Sequence, residues 1–598
     1  ATAIGGGANA DGEVTITGGD ITAICCGTGA AIGGGIGWQE RGGRGKVTIT
    51  GGRVYAENYE YYSRPGTDNY GGVAIGSGSS FQKDGASADI EISGDSYVKA
   101  YARYGNAIGS GNSYDGIAAQ ANITISGDSF VMTNALGGGT SKSKKGGSAN
   151  ITISGQAHVE CVNYSKITDK YDSSSTNELG AFGIGGGGSR GDAKGGSAVV
   201  TISGGTVNCN GGKIGGGSAE NGAGGDASGM INGGNLDCAS IGGGDSVTGT
   251  PGAVTKSSTD ENGTDEAGIE ISGGTIKTGT IGGGKNGSGT IGFATAEISG
   301  GEIQGQFVLA NSDENKHCSF EMTGGTIDNQ NLSSAGYERA QANGGAVYLD
   351  DKNGRVTISG TIKNATGVLG GAVYMKSGTF TLSGEGVIEN CIATTSVEND
   401  MSTSTSGCGG AVYLENGTVD ITGGYIRNNQ SEQDGDLKVS GGMIENNTAL
   451  QNGGGAYLQS GTFSMGKSAD GETTSQTTAI SGNRAVNGAG VYLAGGTCRQ
   501  QAAAVSLALI NVMGLVCDPI AGLVQIPCAQ RNASQAVNAI VSADLALADT
   551  VCPVPADEAI EAMYRVGKQL PRELRETALG GIAESETGKR IADEIRNQ

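Results

Sequence analysis

Two short motifs recur through residues 1–496, and their repetition limits the possible folds more than any other feature of the chain. One is an alternating β-branched run that ends in glycine, as in Val14-Thr-Ile-Thr-Gly-Gly19 and Ile151-Thr-Ile-Ser-Gly155. The other is Ala-Ile-Gly-Gly/Ser-Gly, which begins at Ala31, Ala74 and Ala107. Alternation with a period of two predicts short strands with one buried face, and the glycine pairs predict positive-φ turns between them. Because one such unit buries too little surface to be stable alone, the units must stack.

The repeats predict a mainly β protein, specifically a right-handed parallel β-helix (solenoid) built from short strands of three to five residues. Glycine contributes 115 of 598 residues without a Gly-X-Y period, which excludes collagen. Hydrophobic residues make up only 36% of the chain, which is few for a globule but sufficient for the narrow core of a solenoid. Two insertions, Asn58 to Gly72 and Tyr164 to Gly180, are predicted to be loops on one side.

The repeat changes character near residue 340, so we divide it into residues 1–340 and residues 341–496. In the second part Gly-Gly-Ala-Val-Tyr recurs from Gly344, Gly370 and Gly409. Asn-Asn pairs at Asn428-Asn429 and Asn446-Asn447 predict an asparagine ladder or a turn. This part resembles the β-helix repeats of bacterial surface adhesins, and the first part resembles Gly-rich surface solenoids more broadly. The resemblance implies a non-catalytic protein, secreted or at the cell surface, with a glycan or protein ligand.

Charge and hydropathy exclude some partners. The net charge of −22 argues against a nucleic-acid partner, because phosphate neutralisation requires clustered Lys and Arg. No apolar run reaches the ~18 residues of a membrane span, so none is expected. The chain opens on a repeat unit, so we expect its true beginning, and any export signal, to lie upstream.

Isolated residues within the repeats are predicted to be structural. The Gly-Gly-Gly runs lack the strand-to-helix context of a phosphate loop, and the run before Asp245 lacks the nine-residue period of a calcium β-roll. His158 and His317 stand alone, and Arg190-Gly-Asp192 is interpreted as a chance tripeptide. Eight scattered cysteines are predicted to be small buried hydrophobic residues: Cys25, Cys26, Cys161, Cys209, Cys238, Cys318, Cys391 and Cys408.

Residues 497–598 differ from everything before them. Only 6 glycines follow Thr497, and the apolar period changes from two to about 3.6. Helices are predicted over Ala502 to Met513, over Ser534 to Ala548, from Pro555, and over about Thr587 to Arg596. The sequence therefore predicts a small all-α C-terminal segment.

Long ordered strings in this segment resemble the C-terminal end of the α chain of bacterial iron-sulfur L-serine dehydratase. They include Asn511-Val-Met-Gly-Leu-Val-Cys517-Asp-Pro519, Ala521-Gly-Leu-Val-Gln-Ile-Pro-Cys528 and Leu574-Arg-Glu-Thr-Ala-Leu-Gly-Gly581. The resemblance implies a [4Fe-4S] cluster with Cys517 and Cys528 as two of three protein thiolates, and L-serine as the small-molecule substrate. An iron without a thiolate would bind the serine hydroxyl as a Lewis acid, giving pyruvate and ammonia, and the cluster's oxygen sensitivity implies a cytoplasmic enzyme.

The chain departs from this family upstream of the segment. The Gly-Cys-Gln loop that carries the family's third cluster cysteine is missing, as is the substrate-binding half, so the catalytic base stays unassigned. Cys498, predicted on the first turn of the helix that leads to Cys517, is a poor substitute, and Cys408 is predicted in a repeat corner. We therefore expect a chimera of a surface solenoid and a truncated dehydratase, joined near Thr497. Long-read sequencing of the source DNA across codons 480 to 520 would show whether the join is genuine.

Overall fold

A computed structural model describes most of the repeat region and none of the residues after 500. The described residues are 2–59, 71–103, 105–162, 183–209, 211–255, 268–311, 316–330, 341, 343–394, 407–421, 423–431, 443–445, 447–449, 456–458, 462–465, 479–481, 483, 491–493 and 497–500. The two predicted loop insertions and the predicted C-terminal helices fall largely or entirely outside these ranges.

Within the described ranges the chain forms β-strands and no helix, which confirms a mainly β protein with parallel strands. Each repeat contributes strand segments to three ladders, and each segment pairs in parallel with its equivalents in the preceding and following repeats. None of these elements is a helix long and apolar enough to cross a membrane.

The first ladder begins with two- or three-residue strands and continues into longer ones. Its members are Ile4–Gly5, Ile32–Gly33, Ile75–Gly76, Ile108–Gly109, Ala135–Gly137, Gly183–Gly185, Lys213–Gly215, the ends of Ala227–Gly242, Ile269–Gly282 and Glu302–Ala310, then Val347–Asp350 and the beginnings of Val373–Leu382 and Val412–Ile421.

The second ladder contains the alternating β-branched motif. Its members are Gly12–Ile16, Gly45–Ile49, Ala88–Ile92, Ala121–Ile125, Ala149–Ile153, the beginnings of Ala198–Asn208, Ala227–Gly242 and Ile269–Gly282, then Thr295–Ile298, Ser319–Met322, Arg355–Ile358 and the ends of Val373–Leu382 and Val412–Ile421.

The third ladder follows the glycine turn. Its members are Asp20–Cys25, Arg53–Asn58, Tyr97–Ala102, Phe130–Thr133, His158–Cys161, the end of Ala198–Asn208, the middle of Ala227–Gly242 and Ile269–Gly282, the beginning of Glu302–Ala310, then Thr326–Asp328, Thr361–Lys363, Val387–Glu389, Tyr425–Arg427, Met443–Glu445 and Ala479–Ser481.

Three smaller sets of strands complete the described structure. A four-stranded sheet contains Thr366–Gly367, Ile392–Ala393, Gln430–Ser431 and Thr448–Ala449, and two parallel pairs join Ala456–Leu458 to Val491–Leu493 and Thr462–Met465 to Thr497–Gln500.

The second ladder shows how the alternating sequence builds the core. In Ala121–Ile125 the first, third and fifth side chains are buried, while Asn122 and Thr124 are exposed. Because the register is one to one, Ile125 pairs with Ile92 and Ile153, and all three are fully buried. A column of isoleucines therefore runs through the interior from Ile16 to Ile298, and Met322 continues it, as the period of two predicts.

A column of glycines runs through the first ladder. Gly76 pairs in register with Gly33 and Gly109, and its φ of 141° lies where side chains are rarely tolerated. A Cβ atom on Gly76 would overlap the carbonyl oxygen of Gly109 in the next repeat. The same conformation recurs at Gly5, Gly33, Gly76, Gly109, Gly137, Gly185, Gly215, Gly242 and Gly282.

The turn glycines after the second ladder also behave as predicted. Gly19 and Gly52 have φ of 87° and 86° between the second and third ladder strands, so the predicted positive-φ turns are confirmed there.

The prediction of strands of three to five residues is wrong for many strands: Ile4–Gly5 has two residues, Asp20–Cys25 has six, and the largest departures lie in the middle of the array. Ala227–Gly242 is 16 residues long and Ile269–Gly282 is 14, because their pairing continues on both sides of the glycine turn. In Ala227–Gly242 the glycine turn does not interrupt the strand and is seen only as a shift in pairing register between Ile231 and Asn235.

The predicted asparagine ladder is confirmed. The side-chain amide of Asn429 donates to the side-chain oxygen of Asn447 at 3.2 Å, and Asn447 donates to Asn483 at 3.0 Å. Asn428 has a positive φ of 56°, so the first asparagine of that pair makes the turn and the second makes the ladder.

Pairing continues across the two boundaries drawn from the sequence. Val308 pairs with Tyr348 across residue 340. Thr497–Gln500 forms a strand paired with Thr462–Met465, so the prediction that Cys498 lies on the first turn of a helix is wrong. The repeat pattern that precedes Thr497 extends its pairing four residues beyond the predicted junction.

The glycine column generates a test with a matched control. We expect Gly76→Ala to destabilise the protein by about 3 kcal/mol, because the added methyl group meets backbone atoms in a left-handed conformation. Gly7→Ala adds the same methyl group where nothing lies within 4 Å, so its effect should stay within about 0.5 kcal/mol. Urea denaturation followed by circular dichroism measures both, and equal losses would contradict the close packing of the column.

Candidate functional site

The two predicted cluster ligands, Cys517 and Cys528, lie outside the described residues. Among the predicted upstream cysteines, Cys498 belongs to a strand, and Cys408 is half-buried beside a repeat turn at Gly409. The structure can therefore test whether the repeats provide the third thiolate that the resemblance requires.

Six of the eight cysteines predicted to be buried are buried, and all eight are free thiols. Two cysteines depart from the prediction of buried hydrophobic residues: Cys26 is exposed, so the prediction is wrong there, and Cys408 is only half-buried. Cys26 is explained by its place in the chain. Its neighbour Cys25 ends a strand with its side chain inward, and alternation turns the next residue outward. The buried set is Cys25, Cys161, Cys209, Cys238, Cys318 and Cys391.

Three of the buried thiols form a column in the third ladder. Cys161, Cys209 and Cys238 follow residues that pair in register, so they occupy equivalent positions in consecutive repeats. Each is fully buried, and the Cys161 and Cys209 side chains hydrogen-bond to each other. The Cys238 thiol lies 3.6 Å from the hydroxyl oxygen of Thr278, which continues the column in the next repeat.

Burial keeps these thiols protonated. Desolvation raises the pKa of Cys238 to about 12, and it does the same for Cys318 and Cys391. The Cys161 side chain and desolvation together raise the pKa of Cys209 well above its ordinary value. Iron-sulfur clusters bind thiolates, so these buried cysteines do not fit the role of a third cluster ligand.

The other candidates within the repeats have ordinary partners. Asp245 forms an ion pair with Lys213 and accepts a hydrogen bond from the backbone N–H of Lys285 at 2.9 Å. His158 stacks on Phe130 at 5.0 Å. Across the described ranges, no group of three or more His, Cys, Asp or Glu side chains could hold a metal ion.

A column of buried serines was missed at the sequence level. Ser80, Ser113, Ser141 and Ser189 pair through single parallel bridges, and each is at most 3% exposed. Each hydroxyl bonds to the loop of the preceding repeat; for example, Ser141 Oγ donates to the carbonyl of Gly116 at 2.7 Å. The available signal was a serine followed by a large side chain, five residues after each of Ile75, Ile108, Leu136 and Ile184.

The burial of the thiols predicts their reactivity. In native protein, iodoacetamide should modify Cys26 and leave Cys209, Cys238, Cys318 and Cys391 unmodified. Because the raised pKa of Cys238 is about 12, protection should persist up to pH 9, where an exposed thiol is substantially ionised. Peptide mass spectrometry before and after denaturation measures this, and rapid native labelling of Cys238 would contradict the buried column.

Comparison with known proteins places a family resemblance at the C-terminal end. The sequence model of the serine dehydratase alpha chain matches residues 471–583, a segment that includes the last three described strands. The probable L-serine dehydratase alpha chain of Bacillus subtilis (strain 168) is 50% identical over 105 residues, which are 18% of this chain and 35% of that protein. No solved structure matches the chain at a significant level.

Two further relatives agree. The probable L-serine dehydratase alpha chain of Latilactobacillus sakei is 51% identical over 110 residues, covering 18% of this chain and 53% of the relative. The L-serine dehydratase alpha chain of Peptoniphilus asaccharolyticus is 56% identical over 101 residues, covering 17% and 35%. The chain thus spans about a third to a half of the length of these curated relatives. Its C-terminal region, residues 471–583, is L-serine dehydratase-like.

Proposed function

We propose that the C-terminal region derives from an iron-sulfur L-serine dehydratase, a lyase that converts L-serine to pyruvate and ammonia, and that this activity is incomplete in the present chain. In this proposal Cys517 and Cys528 are two of the three thiolate ligands of a [4Fe-4S] cluster. The supporting observations are the serine dehydratase alpha chain match over residues 471–583, which include both cysteines, and the 50% identity to the Bacillus subtilis protein over 105 residues. A cytoplasmic location belongs to this proposal.

Two observations support incompleteness. The matched region begins at residue 471, and the described strands before it form parallel β-ladders. The described thiols in those ladders are mostly buried, and burial raises the pKa of several of them. A cluster held by only two thiolates is under-coordinated, so we derive no catalytic step from the chain as it stands.

For residues 1–496 we propose a second role as a right-handed parallel β-helix of the bacterial surface type. The observation that favours it is the in-register pairing of consecutive repeats, from Ile4 with Ile32 to Ile444 with Ile480. A parallel pair needs a crossover between its strands, and one crossover per repeat, always in the same sense, makes a solenoid. Secretion or surface display, with a glycan or protein ligand, belongs to this proposal.

The two proposals meet in a chimeric chain of three parts: residues 1–340, 341–496 and 497–598. Residues 471–500 belong to both patterns, because the family match includes them and their described strands pair with repeat strands. A junction inside a segment compatible with both patterns is what a fusion of two gene fragments would leave. Long-read DNA sequencing across this segment tests it.

Anaerobic cluster reconstitution tests the dehydratase proposal. We expect the full chain alone to bind fewer than four irons and to release no pyruvate from L-serine, since only two ligands are assigned. The iron it does bind should fall sharply in Cys517→Ser and Cys528→Ser. It should remain in Cys26→Ser, which removes an exposed thiol from the repeats.

Two results would contradict the proposal in different ways. Iron binding that is unaffected by both serine substitutions would remove Cys517 and Cys528 as ligands. Four irons with steady pyruvate release would show that the chain contains a complete site.

A further inference from the structure

One line of side chains runs along the loops that the buried serines anchor. Trp38, Phe81, Tyr114, Lys142 and Arg190 each directly follow a residue of the parallel bridge series that starts at Gly37, so they occupy equivalent positions in five consecutive repeats. We call these five residues the aromatic–cationic stripe.

The stripe is continuous from Trp38 to Lys142. The Trp38 and Phe81 rings stack with centroids 4.7 Å apart and planes 7° apart, and Phe81 lies 6.3 Å from Tyr114. Lys142 Nζ sits 4.2 Å from the centre of the Tyr114 ring and donates to its hydroxyl at 2.6 Å. The row of aromatic rings thus ends in direct contact with a basic residue of the stripe.

Hydrogen bonds from buried serines hold the stripe in place before any ligand binds. The Ser113 hydroxyl donates to the carbonyl of Lys83 at 2.9 Å, and the Ser189 hydroxyl donates to the carbonyl of Lys144 at 2.9 Å. Because each loop is tied to the next repeat, little conformational entropy is lost when a ligand binds along it.

The charge of these loops opposes that of the whole chain. Residues 38–41, 81–84, 114–117, 142–145 and 190–194 contain seven Lys or Arg and four Asp or Glu, whereas the chain has 38 and 60. Lys144 and Lys145 are exposed beside Lys142. The stripe is therefore a locally basic line on an acidic protein, which suits an anionic ligand.

Ring geometry narrows the class of anion. Stacking on Trp38 covers one face of the Phe81 ring, and Tyr114 lies 6.3 Å from Phe81 with its ring plane tilted by 30°. Ring edges, which carry the positive end of the aromatic quadrupole, attract anions. Trp38 is 60% exposed because no ring covers it from the preceding repeat. A polymer of acidic sugars suits both features. Its carboxylates would contact the lysine ammonium groups and the ring edges, and the C–H face of a sugar ring would pack on Trp38. A nucleic acid needs a free aromatic face for each base, and the stripe offers few.

We propose that the aromatic–cationic stripe binds an acidic glycan, a polymer containing uronic acids, along consecutive repeats. The proposal deepens the surface-solenoid role and rests on it, and it is independent of the dehydratase region. The stripe is a binding surface; no cleavage of the glycan is included.

Titration of the full chain with oligogalacturonate at low ionic strength tests this site. We expect Trp38→Ala and the double variant Lys144→Gln/Lys145→Gln each to weaken binding about tenfold. The matched control, Arg355→Gln/Lys376→Gln, removes two exposed positive charges from other strands and should leave binding unchanged. The fully methyl-esterified oligosaccharide, which lacks the carboxylates, should bind at least tenfold more weakly than the acid form.

Every outcome bears on the proposal. Equal affinity in the stripe and control variants would overturn the site, and equal affinity for the esterified sugar would overturn the acidic class. If a single-stranded oligothymidylate binds more tightly than oligogalacturonate, the ligand of the stripe is a nucleic acid and the glycan proposal is wrong. If oligogalacturonate fails to bind while circular dichroism and thermal melting show an intact β structure, the stripe proposal fails and the surface-solenoid proposal stands.

Discussion

The close approach of one repeat's backbone to the next, at the glycine column that runs from Gly5 to Gly282 in the first ladder, is the constraint on which the stacking of these repeats depends. At Gly76 and Gly109 the carbonyl of one repeat occupies the space where a side chain of its neighbour would be. That approach sets a one-to-one register, and the register then aligns every other column. Because this backbone contact repeats, residues of the same type are stacked in columns: isoleucine on isoleucine, cysteine on cysteine and loop serine on loop serine.

Much of this order could be predicted from the sequence, and the failures have physical reasons. Alternation in Ala121–Ile125 predicted which side chains are buried, because the period of a strand depends only on local geometry. The asparagine ladder was predicted because Asn428 suits a positive φ and Asn429 offers both donor and acceptor. The serine column and the 16-residue strand Ala227–Gly242 were missed because both depend on pairing with the next repeat.

The candidate site shows a different limit. Cys517 and Cys528 are predicted from a resemblance, and the comparisons support an L-serine dehydratase-like C-terminal region. The thiols of the repeats do not suit a cluster. Cys238 and Cys391 are fully buried, and burial raises the pKa of each to about 12. Burial of that kind follows from the inward half of a strand, so it comes from the fold and not from a function.

The distance between spin labels on the second ladder tests the in-register stack most directly. Thr15, Thr152 and Glu321 are exposed and occupy equivalent positions in the second ladder. Thr152 lies four repeat steps from Thr15, and Glu321 lies nine repeat steps from Thr15. With a strand spacing of about 4.8 Å, labels introduced as non-cysteine side chains should lie about 19 Å apart for Thr15 and Thr152, and about 43 Å apart for Thr15 and Glu321. Electron–electron double resonance measures both distances. Linear growth with the number of steps is the predicted result; a second distance no longer than the first would contradict the account.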